Sequence, residues 1–105
     1  MTGGRAPRRK GNRLERVLVR WLQAHGFDAA RVPPSGPAGG HFSGDLAVPL
    51  LGRDLCVEVK ARSAGFRELY SWLTGRDVLI VKADRQEPLV VIRLSLAAEV
   101  AQLAT

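Results

Sequence analysis

Apolar side chains in the first third of the chain repeat with the period of a helix. Leucine, valine and tryptophan recur three and four residues apart between positions 14 and 22. Because a helix makes one turn in 3.6 residues, these side chains share one face. Asn12 precedes the run as a candidate N-cap, and Gly26 follows it at a position where many helices end. The pattern predicts a first helix from Asn12 to His25.

Alternating apolar residues then predict three strands. Residues 27–32 form the first strand, while residues 45–50 and 55–60 alternate apolar side chains with polar or small ones. A period of two is typical of a strand with one buried face. Residues 52–54 lie between the last two strands and predict the turn of a hairpin.

The second half of the chain predicts a helix, two strands and a last helix. Apolar residues at helical spacing run through residues 66–73, and Gly75 ends that helix. Val78–Val81 and Leu89–Ile92 are continuous apolar runs, as in central strands covered on both faces. Ser95 is the predicted cap of the final helix. The order α-β-β-β-α-β-β-α predicts a single-domain α/β sandwich, in which helices flank one mixed five-stranded sheet.

Composition narrows the class of protein. The 105 residues suit one domain, and sixteen Lys and Arg against ten Asp and Glu give a net charge of +6. This charge favours a polyanionic partner, nucleic acid before an anionic membrane surface. No apolar run approaches the length of a membrane span, and the N-terminus lacks a signal-peptide core. We therefore expect a cytoplasmic protein with no membrane partner. Cys56, the only cysteine, is interpreted as a small buried residue.

Basic residues gather near the N-terminus. Residues 1–12 contain four of them among Gly, Pro and Ala, which predicts a flexible basic arm in front of a domain at 13–105. Three further arginines lie opposite the apolar face of the first helix. The candidate DNA contacts are Arg8, Arg9, Lys10, Arg13, Arg16 and Arg20. The alternative for the arm is a solvated terminus that contacts no phosphate.

Candidate chemistry centres on the predicted hairpin. Its pairing brings Asp45 beside Glu58, and the alternation of the second strand puts Glu58 and Lys60 on one face. Two carboxylates with a lysine suit a hard divalent cation such as Mg²⁺, held against a phosphate. The lysine would orient a water nucleophile and offset charge on the phosphate. The alternative is a solvated ion pair, because Glu-x-Lys is frequent on strand surfaces.

Three residues outside the hairpin are further candidates. Glu15 lies at the margin of the apolar helix face, where it either leans towards the cation or pairs with an arginine. Residues 33–40 form a long loop rich in Gly and Pro, a kind of segment that is often functional. Ser35 in this loop is a candidate phosphate contact, and His41 is a ligand, an acid or a bystander.

Asp45 and the Glu-Val-Lys triplet at 58–60, which begins thirteen positions later, resemble the PD-(D/E)xK nuclease motif. Gly44 stands where the motif has proline. The whole chain after the arm is similar to archaeal-type Holliday junction resolvases and their phage-borne relatives. Residues 9–16 resemble their basic helix with its glutamate, and residues 31–36 resemble the segment that contains their loop serine.

The resemblance implies a restriction-endonuclease-like fold and a metal-dependent nuclease. It implies that Asp45 and Glu58 bind Mg²⁺, for which Mn²⁺ can substitute. The backbone carbonyl of Val59 would complete the inner shell of metal ligands. Lys60 would act on the nucleophilic water.

The resemblance also implies an accessory carboxylate near the metal, Glu15, and an active-site loop contact, Ser35. The expected activity is resolution of four-way (Holliday) junctions by paired phosphodiester hydrolysis. Since a junction has two-fold symmetry, a homodimer would present two active sites to it. The alternatives are a superfamily nuclease that cuts linear duplex, flaps or a restriction-type site, and an inactive nucleic-acid-binding module of the same fold.

Overall fold

The computed structural model describes the backbone of residues 5–33 and 44–104, with side chains described from Asn12 onward. These residues form two compact units, the N-terminal unit (up to residue 61, with Ala104) and the C-terminal unit (Arg62–Leu103). The prediction of a small mixed α/β fold is confirmed. The described elements, in chain order, are α1 (Arg5–Ala24), β1 (Ala30–Arg31), β2 (Leu46–Leu50), β3 (Arg53–Val57), α2 (Arg67–Leu73), β4 (Val78–Val81), β5 (Leu89–Ile92) and α3 (Leu94–Gln102).

Helix α1 begins at Arg5, before the start predicted at Asn12. Arg, Ala and Lys in this stretch favour a helix, and Pro7 lies in the first turn, where its missing N–H would have no intrahelical partner. Asn12 therefore lies inside the helix and does not cap it. That residues 1–12 act as a basic arm stays a prediction.

Helix α1 ends as the sequence predicts, in a Schellman motif around Gly26. The φ angle of Gly26 is 93°, a left-handed conformation that suits glycine. The N–H of Gly26 donates to the carbonyl of Gln23 (3.1 Å), and the N–H of Phe27 donates to that of Leu22 (3.0 Å). Leu22 and Phe27 are both buried, so this turn also contributes side chains to the core of the N-terminal unit.

Three antiparallel strands carry the rest of that core. β2 is central, with β1 and β3 on its two sides. Leu46 and Val48 of β2 are buried, and Leu46 exposes only 1% of its surface. β1 is shorter than the strand predicted at 27–32, because only Ala30 and Arg31 pair with β2.

The hairpin between β2 and β3 turns at Leu51 and Gly52. Leu50 pairs with Arg53, so Arg53 and Asp54, predicted as turn residues, belong to β3. The φ angles of Leu51 and Gly52 are 58° and 76°, both positive, as in the type I′ turns that match the twist of paired strands. Glycine adopts such angles without strain, whereas leucine does not.

Strands β4 and β5 of the C-terminal unit pair with each other, so the described strands form two antiparallel sheets. One mixed five-stranded sheet is not confirmed. Ile80 lies opposite Val90, and these side chains are 67% and 62% exposed. The prediction that both strands are covered on both faces is therefore wrong for the described residues. A continuous apolar run does not distinguish one covered face from two.

The two helices of the C-terminal unit differ in how well their ends were predicted. Gly75 follows α2 with a φ angle of 74°, which confirms the predicted end. α3 begins at Leu94 with Arg93 in the N-cap position, and no side chain caps it. Ser95 thus lies in the first turn of α3 instead of capping it, because the helix starts at Leu94, two residues before the start that a Ser95 cap implies.

Candidate active site

Asp45 is held between two neighbouring strands just before β2. Its N–H donates to the carbonyl oxygen of Val57 (2.7 Å), and its own carbonyl oxygen accepts from the N–H of Val32 (2.9 Å). Its Oδ2 accepts from the N–H of Val59 (2.7 Å). Both the backbone and the carboxylate of Asp45 are therefore fixed by the chain around them.

The segment that follows β3 contacts the carboxylate of this aspartate. β3 ends at Val57 and not at Lys60, because the N–H of Val59 bonds to a carboxylate instead of a strand carbonyl. Val57 and Val59, which both contact Asp45, flank Glu58 in the chain. The structure thus brings Asp45 to the segment that carries Glu58, as the predicted hairpin requires.

Side-chain exposure keeps alternating beyond the end of β3. The half-buried residues are Leu55, Val57 and Val59, and the exposed ones are Cys56, Glu58 and Lys60. The predicted division into two faces is confirmed. The interpretation of Cys56 as a buried residue is wrong, because it shares the outer face with Glu58 and Lys60.

Gly44 approaches the end of β3 so closely that any side chain there would require the backbone to shift. A Cβ atom on Gly44 would lie 2.8 Å from the carbonyl oxygen of Val57, which is closer than real Cβ atoms come to a backbone oxygen. Proline, the residue that the motif has at this position, carries the same Cβ and would meet the same contact. It lies directly beside the hydrogen bond from Asp45 to Val57, so Gly44 is part of what places the aspartate.

Glu58 and Lys60 form an ion pair at the surface. Lys60 Nζ lies 3.1 Å from Glu58 Oε2, and the two side chains are 59% and 52% exposed. An exposed pair of this kind contributes little to stability, because water screens it and both side chains lose freedom. Breaking this ion pair, so that either group can bind a ligand, therefore costs little free energy.

Glu15 contacts an arginine, one of the two arrangements that the sequence allows. Its Oε1 accepts from Arg31 Nε of β1 at 3.2 Å. Arg31 Nη2 also donates to Asn12 Oδ1 at 2.9 Å. Sequence reasoning did not single out Arg31 as a site residue, because its partners lie 16 and 19 positions away and no periodic pattern links them.

The carboxylates on these elements suit a metal that keeps water in its shell. Within the described residues, no three His, Cys, Asp or Glu side chains converge as in a complete protein cage. Mg²⁺ usually takes only one or two carboxylates and completes its shell with water and substrate oxygens. Asp45 offers the oxygen that Val59 does not occupy, and Glu58 offers an exposed carboxylate. This donor set fits such an ion.

A family model described as archaeal Holliday junction resolvase matches residues 6–97. The chain belongs to this family. The match runs from the first turn of α1 into α3 and includes every motif on which the resemblance was based. Membership implies a nuclease that acts on DNA junctions. No curated protein and no solved structure matches the chain.

The structure describes the side chains of only some of the basic residues predicted to contact DNA. Arg13, Arg16 and Arg20 are exposed on α1, at spacings that put them on one side of the helix. The side chains of Arg8, Arg9 and Lys10 lie outside the described residues, as do Ser35 and His41. Their roles in this resolvase-family chain stay predictions. Among the helices that the structure describes, none is long and apolar enough to cross a membrane.

Proposed function

We propose that the protein is a Mg²⁺-dependent, structure-selective endodeoxyribonuclease that resolves four-way junctions by paired phosphodiester hydrolysis. The observation that carries this proposal is the hydrogen bond between the Asp45 carboxylate and the N–H of Val59. It joins the aspartate to the Glu58 to Lys60 segment, as a PD-(D/E)xK site of a Holliday junction resolvase requires. Family membership supports the choice of a junction as substrate, and a DNA substrate accords with the expected cytoplasmic location.

The proposed metal ligands are Asp45, Glu58 and the backbone carbonyl of Val59, with Glu15 as an accessory carboxylate. Mn²⁺ would substitute for Mg²⁺, because both accept hard oxygen ligands. When bound, the ion supplies Lewis acidity that favours deprotonation of water and neutralises phosphate charge. Hydrogen bonds already hold the backbone and one carboxylate oxygen of Asp45, so this residue would lose little conformational freedom on binding an ion.

Lys60 is the proposed partner of the attacking water. Its ammonium carries three donors and now lies against Glu58. If the Glu58 carboxylate were engaged by a bound ion, the ammonium of Lys60 would be able to donate a hydrogen bond to the water oxygen near the phosphate. That oxygen forms the new bond to phosphorus as its proton passes to bulk water, one bridging P–O bond breaks in line with it, and the departing oxygen takes a proton from solvent.

A homodimer fits the paired incisions. Two copies related by a two-fold axis would present two sites to a junction that has the same symmetry. The exposed arginines of α1, together with Arg8, Arg9 and Lys10, would contact phosphates, while Ser35 would contact DNA from its loop. Recognition would then depend on the shape of the junction and its backbone, and binding would weaken as salt rises.

Cleavage of end-labelled DNA tests the proposal. Purified protein is incubated with a four-way junction or a linear duplex of the same arm sequence, in Mg²⁺ or in EDTA. We expect paired incisions of the junction in Mg²⁺ alone, and a loss of about 10²–10³-fold in Lys60→Ala, since one donor to a developing charge is removed. Lys82→Ala, which removes an exposed lysine of the C-terminal unit, is the control and should cleave normally.

Three outcomes would contradict the proposal in different ways. Equal cutting of linear duplex would keep the nuclease and reject junction selectivity. Tight junction binding without incision would indicate an inactive binding module. Incision by Lys60→Ala at the rate of the Lys82→Ala control would reject the assigned site.

A further inference from the structure

An arginine in β1, the shortest of the described strands, connects α1 to the segment that contains Asp45. Arg31 lies in β1, opposite Leu46 of β2. Its guanidinium donates from Nε to Glu15 (3.2 Å) and from Nη2 to Asn12 (2.9 Å), both on α1. The N–H of the next residue, Val32, donates to the carbonyl oxygen of Asp45 (2.9 Å). A continuous series of contacts therefore runs from Glu15 through Arg31 to Asp45.

The chemistry of arginine suits this connection. Asn12 and Glu15 are three residues apart on a helix, so their side chains are neighbours on one face. The planar guanidinium reaches both acceptors with separate nitrogens in a fixed geometry, which a lysine ammonium cannot reproduce. The side chains of Arg31 and Glu15 are 31% and 17% exposed, so water screens this pair less than it screens Glu58 and Lys60.

We propose that Arg31 is a positioning residue, which sets the Glu15 carboxylate relative to Asp45 without contacting DNA. This inference rests on the proposed nuclease function. Removal of Arg31 would leave Glu15 free to take other side-chain conformations and would loosen the tie between α1 and β1. The rate of cleavage would then fall, while the affinity for the junction would change little.

A double-mutant cycle tests this role. The variants are Arg31→Met, Glu15→Gln and the double mutant, with Arg53→Met as a control that removes the same charge from an exposed residue of the same unit. Single-turnover cleavage of a four-way junction is measured at saturating protein, junction binding is measured separately in EDTA, and thermal unfolding is followed for each protein. If Arg31 acts through Glu15, the second substitution adds little to the first.

We expect each single variant to cleave about 10–100-fold more slowly, the range typical of residues that orient a site. The double variant should be no slower than the slower single variant, and junction affinity should stay within about twofold of wild type. Arg31→Lys should not restore the rate, because lysine keeps the charge but lacks the planar guanidinium that reaches both acceptors. Asn12→Ala, which removes one acceptor and leaves the ion pair, should give a smaller loss even if Arg31→Met folds poorly.

The results that would overturn the inference are distinct from failure of the proposed function. Effects that multiply in the double variant would mean that Arg31 does not act through Glu15. A loss of junction affinity as large as the loss of rate would make Arg31 a phosphate contact. If the wild-type protein cuts no junction at all, the proposed function fails and this inference fails with it.

Discussion

Replacing Gly44 with alanine would test whether a close backbone approach fixes the candidate site. The new Cβ would lie 2.8 Å from the carbonyl oxygen of Val57, whereas ordinary contacts begin at 3.4 Å. The neighbouring backbones must therefore separate by about 0.6 Å, the difference between these two distances. Backbone shifts of this kind in a packed region cost about 1–3 kcal/mol of unfolding free energy.

The same shift would weaken the hydrogen bonds that hold Asp45. The bond from Asp45 Oδ2 to the N–H of Val59, now 2.7 Å, would lengthen to about 3.3 Å, beyond the usual range for N–H···O bonds. Because a misplacement of 1 Å can cost about 10²-fold in rate, we expect single-turnover junction cleavage to fall about tenfold. The assay uses concentrations and temperatures at which urea unfolding curves show the variant to be folded.

Gly52→Ala is the matched control for this prediction. A Cβ there meets nothing within 4 Å, but the φ angle of 76° is unfavourable for alanine and costs about 1–2 kcal/mol. Both variants should thus lose stability to a similar degree, while only Gly44→Ala should lose cleavage. Equal cleavage by the two folded variants would refute the link between Gly44 and the site.

Further predictions concern stability, each measured by urea unfolding. Leu51→Asn should raise the unfolding free energy by about 0.5–1 kcal/mol, because asparagine tolerates the positive φ angle of the turn better than leucine; a decrease would refute the turn assignment. Leu46→Ala should cost about 2–5 kcal/mol, since Leu46 is almost fully buried, and a smaller cost than that of Val48→Ala would contradict its central place. Arg93→Met should cost about 1 kcal/mol, because the Arg93 guanidinium donates to the carbonyls of Leu73, the last residue of α2, and of Arg76, which follows that helix. Faster amide exchange confined to the end of α2 would accompany that loss, and unchanged exchange there would contradict it.

Local patterns predicted those parts of the fold that depend on nearest neighbours. The spacing of apolar residues predicted helix α1 and the side that bears the buried Leu22, although Val17 on that side is 50% exposed, and Gly26 marked the end of the helix. The alternation at 55–60 correctly separated the outer face, with Glu58 and Lys60, from the inner face. These features follow from the periods of helix and strand, which can be recognised within a short window of sequence.

Features that depend on distant partners could not be predicted in this way. Asn12 has the chemistry of a cap, yet it serves as an acceptor for Arg31 inside a longer helix. The sequence could not distinguish a two-stranded sheet of β4 and β5 from a five-stranded sheet that includes them. A run of apolar residues does not identify the strands that pair with it. Gly44 departs from the motif, and its close approach to Val57 becomes visible only in the folded chain.

The outward position of Cys56 makes the wild-type chain suitable for spectroscopy. It is the only cysteine, it is exposed, and it lies two residues before Glu58 on the same outer face. A maleimide fluorophore would therefore attach at one defined position beside the candidate site without any substitution. Its emission would report the arrival of DNA at that face, so binding and incision could be timed separately in one stopped-flow experiment.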